Sequence, residues 1–157
     1  MAVKIGLVGT GTVGGGGALK WLSEQVCAAE GMRAAENHTS IFEEMSEAAE
    51  TIPAGSDGLV FLPYMAGERS PIWDIHAKGV YFGLDYSKTR AHMIRACMEG
   101  VAFSLRHNLE IAAGAGAPVG VMHAMGGAAN SRVWTQIKAD VTGCEIRVPA
   151  SDTATPL

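Results

Sequence analysis

The sequence has no basic run. Its 12 Lys and Arg are outnumbered by 16 Asp and Glu, giving a net charge of −4, and this balance argues against a nucleic-acid-binding surface. No stretch reaches the roughly 18 continuous apolar residues of a membrane span, and the start has no basic region followed by an apolar one. Neither nucleic acid nor membrane is therefore an expected partner. Metal-binding spacings are missing too. The five histidines stand apart at His38, His76, His92, His107 and His123, and the three cysteines at Cys27, Cys97 and Cys144. None forms a C-x-x-C or H-x-x-x-H pair, so no metal site is expected. An odd, dispersed cysteine count suits a reducing cytoplasm, with each thiol filling a small core position. Apart from Gly14–Gly17 there is no low-complexity tract, and no internal repeat is visible. What is present is apolar: 48% of 157 residues are hydrophobic, enough to bury the core of one domain.

The pattern along the chain alternates strands with helices. Val3–Val8 is strand-like, and Ala18–Ala29 is expected to be a helix with Leu19, Leu22 and Val26 on one face. Ser40 followed by Glu43 is a capping box that opens a helix through Ile52, with Ile41, Met45, Ala48 and Ile52 as its apolar stripe and Pro53 as its stop. Leu59–Leu62 and Val80–Leu84 are short strands around an irregular loop, Tyr64–Lys78. The longest helix is expected from about Lys88 to Ala113, where Ile94, Cys97, Met98, Val101 and Leu105 recur at helical spacing. Gly114–Pro118 breaks it, and Cys144–Val148 is the last strand.

Met125–Asp140 is the most informative stretch. Val119–His123 is apolar and β-branched enough for a buried strand. It runs into Gly126 and Gly127, then into a helix over Ser131–Val141 whose stripe is Val133, Trp134, Ile137 and Val141. Lacking Cβ atoms, the two glycines let backbone approach a flat ring or a phosphate, and the free N–H groups of the following helix would face that ligand. Asn130 or Ser131 can cap the helix or bond an adenine edge. A tight turn with no ligand is the plainer reading of the same residues.

The N-terminus suggests a different nucleotide. Lys4–Gly14 carries Gly9-x-Gly11-x-x-Gly14 after a strand, the Rossmann dinucleotide fingerprint, which taken literally means an NAD-dependent oxidoreductase. A second strand ending in an acidic residue should then follow about 20 positions on. Cys27–Ser40 has no strand character, so a strand with a glycine-rich turn is the better reading.

Four blocks in fixed order carry a family resemblance: Gly-Gly-Ala-Leu-x-Trp-Leu at Gly16–Leu22, Leu-Pro-Tyr-x-x-Gly-Glu-Arg-x-Pro at Leu62–Pro71, Gly-x-Tyr-x-Gly-Leu to His-x-x-x-Ala-x-x-Glu-Gly at Gly79–Gly100, and Gly-Gly-x-x-x-Ser-x-x-Trp-x-Gln at Gly126–Gln136. Together they resemble the C-terminal domain of the FGGY carbohydrate kinases, most of all the xylulokinase branch, over about residues 14–157. Residues 1–13 match poorly. The resemblance implies an α/β fold of the actin-like ATPase, ribonuclease-H-like class, incomplete here because the N-terminal domain and the start of the C-terminal one are not matched. It implies ATP-dependent phosphorylation of a sugar such as xylulose by the parent enzyme, with Mg²⁺ held partly by residues outside the matched region. The first phosphate loop, the sugar contacts and the catalytic base fall outside it too, so no catalytic residue is assigned here. Apolar surface left uncovered in a partial domain predicts self-association into a homo-oligomer, or marginal stability. A non-catalytic nucleotide-binding or oligomerisation module is the other reading.

By the family pattern Gly126 and Gly127 touch the nucleotide, Asn130 and Ser131 lie near the adenine, and Gly16 with Trp21 forms the opposite wall. Trp21 suits core packing equally well, and Trp134, on the apolar stripe, suits it better. His92 and Glu99 match the family signature but sit on the long helix, where a structural role is expected. Glu68 and Arg69 could form an ion pair that pins their loop. Asp74 and Asp85 are loop carboxylates without the spacing of a catalytic dyad. Cys97 departs from the family's small or aliphatic residue while suiting the same core position.

Overall fold

The computed structural model describes residues 15–149. The strand-like run Val3–Val8 and the glycines Gly9, Gly11 and Gly14 lie outside them. Three helices open the described chain: α1 (Gly15–Gln25), α2 (Ala28–Asn37) and α3 (Ile41–Glu50). The hairpin strands β1 (Val60–Leu62) and β2 (Val80–Phe82) lead into α4 (Arg90–Gly114). Strand β3 (Val121–His123), helix α5 (Arg132–Thr142) and strand β4 (Glu145–Arg147) complete the order. Strands β1 and β2 pair antiparallel, while β3 and β4 pair in parallel.

The single helix expected over Ala18–Ala29 is two helices, broken at Val26 and Cys27. The Cys27 side chain is fully buried; its backbone leaves the helical region to put it there, and α2 restarts immediately after. The stretch without strand character is thus helical. No strand follows α1 before α3, so the βαβ unit that a Rossmann reading requires is absent among the described residues. Helix α3 begins as expected. Ser40 accepts from the Glu43 N–H at 3.2 Å, and the Glu43 carboxylate accepts from the Ser40 N–H at 2.9 Å.

Helix α4 is the centre of the core. Ile94, Cys97, Met98 and Val101 are buried along it, and Leu22, Met45, Leu59, Trp134 and Ile137 from the surrounding elements join the same cluster. Burial pushes the Cys97 thiol up to about 12 and Cys27 up to about 11, so both behave as small apolar residues. Helix α4 packs closely on β1 at Gly100. A Cβ at Gly100 would fall on the Phe61 carbonyl oxygen, and only glycine permits that approach.

Strand β3 is not buried as its composition suggested. Val121 and His123 are exposed and Met122 is half-buried, because β3 is bonded to β4 alone among the described residues. Parallel strands are normally covered on both faces.

Candidate functional site

The chain leaves β3 through Ala124 and Met125 into Gly126, whose φ of 78° and ψ of −176° belong to a region open only to glycine. A single turn of 3-10 helix, Gly127–Ala129, follows, closed by the Ala129 and Asn130 N–H groups on the Gly126 and Gly127 carbonyls. The glycine pair therefore does not open α5 directly; one tight turn stands between them. Gly127 has an ordinary φ, and a Cβ there would meet nothing within 4 Å. The turn itself needs the first glycine, whereas the second faces open space.

Ser131, not Asn130, caps α5. Its hydroxyl accepts from the Trp134 N–H at 3.1 Å, the usual N-cap bond. Its oxygen also lies 2.8 Å from the Ser46 hydroxyl of α3. Asn130 is exposed, and its side chain edges an open depression of about 300 Å³ between α5 and β4, walled by Thr135, Gln136, Ile146 and Val148 among others. Gly126 and Gly127 are not part of that wall. Arg132, the first residue of α5, meets Glu50 of α3 at 2.6 Å. Sequence reasoning missed both ties to α3. The available signal was Ser46 itself, a polar residue beside the apolar positions Met45 and Ala49.

Trp134 packs in the core, and its indole N–H donates to the Met98 carbonyl at 3.2 Å. The Lys138 ammonium sits 4.2 Å from its ring centroid, a cation–π contact, and burial lowers the Lys138 pKa. Trp21 is 41% exposed on α1, so its ring keeps a face for a ligand that a core tryptophan would not have. Gly16 is in the first turn of the same helix and faces open space. Helix α1 packs on α2, α3 and α4, while the Gly127–Ala129 turn packs on α5. Helices α3 and α4 each touch both α1 and α5.

The other sequence candidates make mostly local contacts. Glu99 is buried and accepts from the Gly55 N–H at 3.0 Å, the Ser56 hydroxyl at 3.3 Å and Arg95 at 2.7 Å. It ties α4 to the turn before β1. His92 Nδ1 accepts from the Thr89 N–H at 3.1 Å, so Nε2 carries the proton and donates to Asp57 at 3.1 Å. The ion pair that Glu68 and Arg69 could have formed is not made. Glu68 is buried and accepts from the backbone N–H groups of Arg69 and Ser70 at 2.7 and 2.9 Å, because the loop bends tightly around the carboxylate and leaves the Arg69 side chain exposed. Asp74 and Asp85 each accept a backbone N–H two residues on, from His76 and Ser87. The Ser87 hydroxyl and N–H, with Lys88 nearby, hold the Asp85 carboxyl below its usual range. Among the described residues neither aspartate is paired with another carboxylate. Among the described residues no group of three or more His, Cys, Asp or Glu could hold a metal ion, and no helix is long and apolar enough to cross a membrane.

Residues 2–157 match the FGGY family of carbohydrate kinases, C-terminal domain. Over 138 residues, 87% of this chain and 27% of the relative, the sequence is 37% identical to a gluconokinase of Bacillus subtilis. A xylulose kinase of the same organism is 39% identical over 100 residues, 64% of this chain and 20% of that protein. Among solved structures, the xylulose kinase of Rhodospirillum rubrum superposes with a TM-score of 0.72 at 37% identity, covering 85% of this chain and 25% of that one. The fold is thus part of an actin-like ATPase domain, as in these sugar kinases. The chain spans about a quarter of the length of the relatives it matches.

Proposed function

The chain belongs to the FGGY family of carbohydrate kinases, and on that premise we propose that it supplies the nucleotide-binding side of an enzyme that transfers the γ-phosphate of ATP to a sugar hydroxyl. The observation that carries this reading is the open second glycine. Gly126 is required by the backbone, but the fold asks nothing of Gly127, where a Cβ would meet no neighbour within 4 Å. An open glycine that follows the Gly126 bend and precedes α5 leaves room for close approach of a ligand. Phosphoryl transfer is mostly positioning and electrostatics, and glycine backbone N–H groups with the positive end of α5 favour an anionic ligand.

In this reading Gly126 and Gly127 lie against the nucleotide, and Asn130 offers its amide to the adenine edge. The Ser131 hydroxyl is already used by its cap and by Ser46, so it acts by holding the turn in place. Gly16 and the exposed face of Trp21 form the opposite wall. Mg²⁺ would arrive with the phosphates; no protein ligand for it is assigned among the described residues. Xylulose is the proposed acceptor, following the xylulose kinases among the relatives. Gluconate is the second reading, favoured by the gluconokinase alignment, which extends over more of the chain. Exposed apolar side chains on the β1–β2 hairpin and its loop, including Trp73, Ile75 and Phe82, support a homo-oligomer, which light scattering would test.

Calorimetric titration of the chain with ADP, ATP and NADH tests the nucleotide assignment. The adenine nucleotides are expected to bind and NADH is not; saturable binding of NADH alone would overturn the kinase reading in favour of an oxidoreductase. With ATP and either xylulose or gluconate, the chain by itself is expected to show no sugar-dependent hydrolysis above background, since no base is assigned among its residues. Robust turnover would place catalytic residues within it.

A further inference from the structure

We infer that Ser46, on α3, is a positioning residue for the nucleotide turn and acts through Ser131, an inference that rests on the nucleotide reading of that turn. The argument is proton accounting. The Ser46 hydroxyl is 2.7 Å from the Phe42 carbonyl and 2.8 Å from the Ser131 oxygen, which in turn accepts from the Trp134 N–H at 3.1 Å. A hydroxyl has one proton to give, and a carbonyl can only accept. One arrangement satisfies all three contacts: Trp134 N–H donates to Ser131, the Ser131 hydroxyl donates to Ser46, and the Ser46 hydroxyl donates to Phe42. The directional chain joins the first turn of α5 to the middle of α3.

Back-bonding to Phe42 alone would have satisfied Ser46, as it does many helical serines. The contact with Ser131 lies 85 positions away in sequence and adds a tertiary restraint that neither helix needs for its own hydrogen bonds. A second restraint follows one helical turn later, where Glu50 of α3 meets Arg132 next to Ser131. Helix α3 is a firm reference for both. Met45 and Ala49 are fully buried, its start is closed by the Ser40–Glu43 box, and Glu44 is bound by Asn37, Thr39 and Arg33. The residue just before Ser131 is Asn130, the exposed amide proposed to meet the adenine. The Ser46 bond therefore restrains the residue that follows Asn130 and the Gly127 turn.

The test replaces Ser46 by alanine, which suits a helix interior, and reads amide hydrogen exchange over Gly127–Trp134 together with ADP affinity by calorimetry. Loss of one hydrogen-bonded restraint is expected to speed exchange there roughly tenfold and to weaken ADP by about threefold to tenfold. In a Ser131→Ala background the same substitution should add little, because the two hydroxyls act as one unit. Unchanged exchange in Ser46→Ala overturns the inference, as does equal exchange acceleration in all helices, which would mark Ser46 as a general stability residue. Faster local exchange with no ADP binding by the unsubstituted chain would uphold the positioning link and remove the nucleotide reading instead.

Discussion

A methyl group added at Gly100 would fall on the Phe61 carbonyl oxygen, whereas one added at Gly127 would meet nothing within 4 Å. Both glycines lie in the family-like blocks of the sequence, and from sequence they look equally special. The first lets α4 close onto β1 in the middle of the core. The second borders a turn whose outer side is open. The contrast separates two uses of glycine that a motif cannot distinguish: a Cβ site already filled by the fold, and one left empty by it. Glu99 and Asn130 repeat the lesson with polar side chains, since Glu99 is fully engaged within the core and Asn130 is exposed beside the open turn.

The sharpest test of the contrast is Gly100→Ala. In an isolated helix this change stabilises by about 1 kcal/mol, but here the intruding methyl group meets rigid backbone. Overpacking of this kind costs roughly 1–3 kcal/mol, and more when backbone must move, so a loss of about 3 kcal/mol or an unfolded chain is expected in urea melts. A melt like that of the unsubstituted chain would mean that α4 and β1 are not so close. Gly126→Ala comes next. Its φ of 78° imposes strain on any side chain, with an expected loss of about 1–3 kcal/mol, read by the same melts. Tolerance at Gly126 would show that the turn can adopt another backbone form.

Acid sensitivity sharpens the comparison from the packed side. Glu30 and Glu44 tie α2, α3 and α4 through Arg33 and Arg90. Burial of Glu30 opposes its charge, but its own backbone N–H, Arg33 and Arg90 outweigh that and hold its carboxyl below the usual value of 4.5. Bonds from Asn37, Thr39 and Arg33 lower Glu44 against a smaller cost of burial. Carboxyls held lower in the folded state keep their contribution above the unfolded value and lose it as pH falls through the folded one. Stability should therefore hold above about pH 4.5 and decline below it. Thermal melts between pH 6 and 3 would check this, and Glu44→Gln should flatten the decline. An identical pH profile in that variant would remove Glu44 from the account.

The smallest expected change in stability is at Gly127→Ala, within about 0.5 kcal/mol, because it adds a methyl group to open space at an ordinary φ. Its effect should appear in binding: a weakened affinity for ATP and ADP, with the fold unchanged. Calorimetric titration of the folded variant with each nucleotide measures it. If the ATP affinity does not move in a folded variant, Gly127 leaves the nucleotide site and the contrast with Gly100 becomes one of packing alone.

Local patterns fixed much of this protein without its fold. The Ser40–Glu43 capping box, the apolar stripe of α4 and the stripe through Trp134 and Ile137 all formed where nearest-neighbour chemistry placed them, since caps and helical faces depend on residues within about one turn. The order of the four sequence blocks identified the family for the same reason: it is a property of the chain. Tertiary structure decided the rest. Cys27 broke one expected helix into two because its side chain is drawn into a core built by distant residues. Glu68 took backbone N–H groups in place of Arg69 because of how its loop bends. Strand β3 is exposed because burial depends on which strands lie beside it. Whether a glycine is filled or open, and whether Ser131 is free or bound to Ser46, depends on side chains and backbone brought together from far along the chain, and such distances are set only when the helices pack.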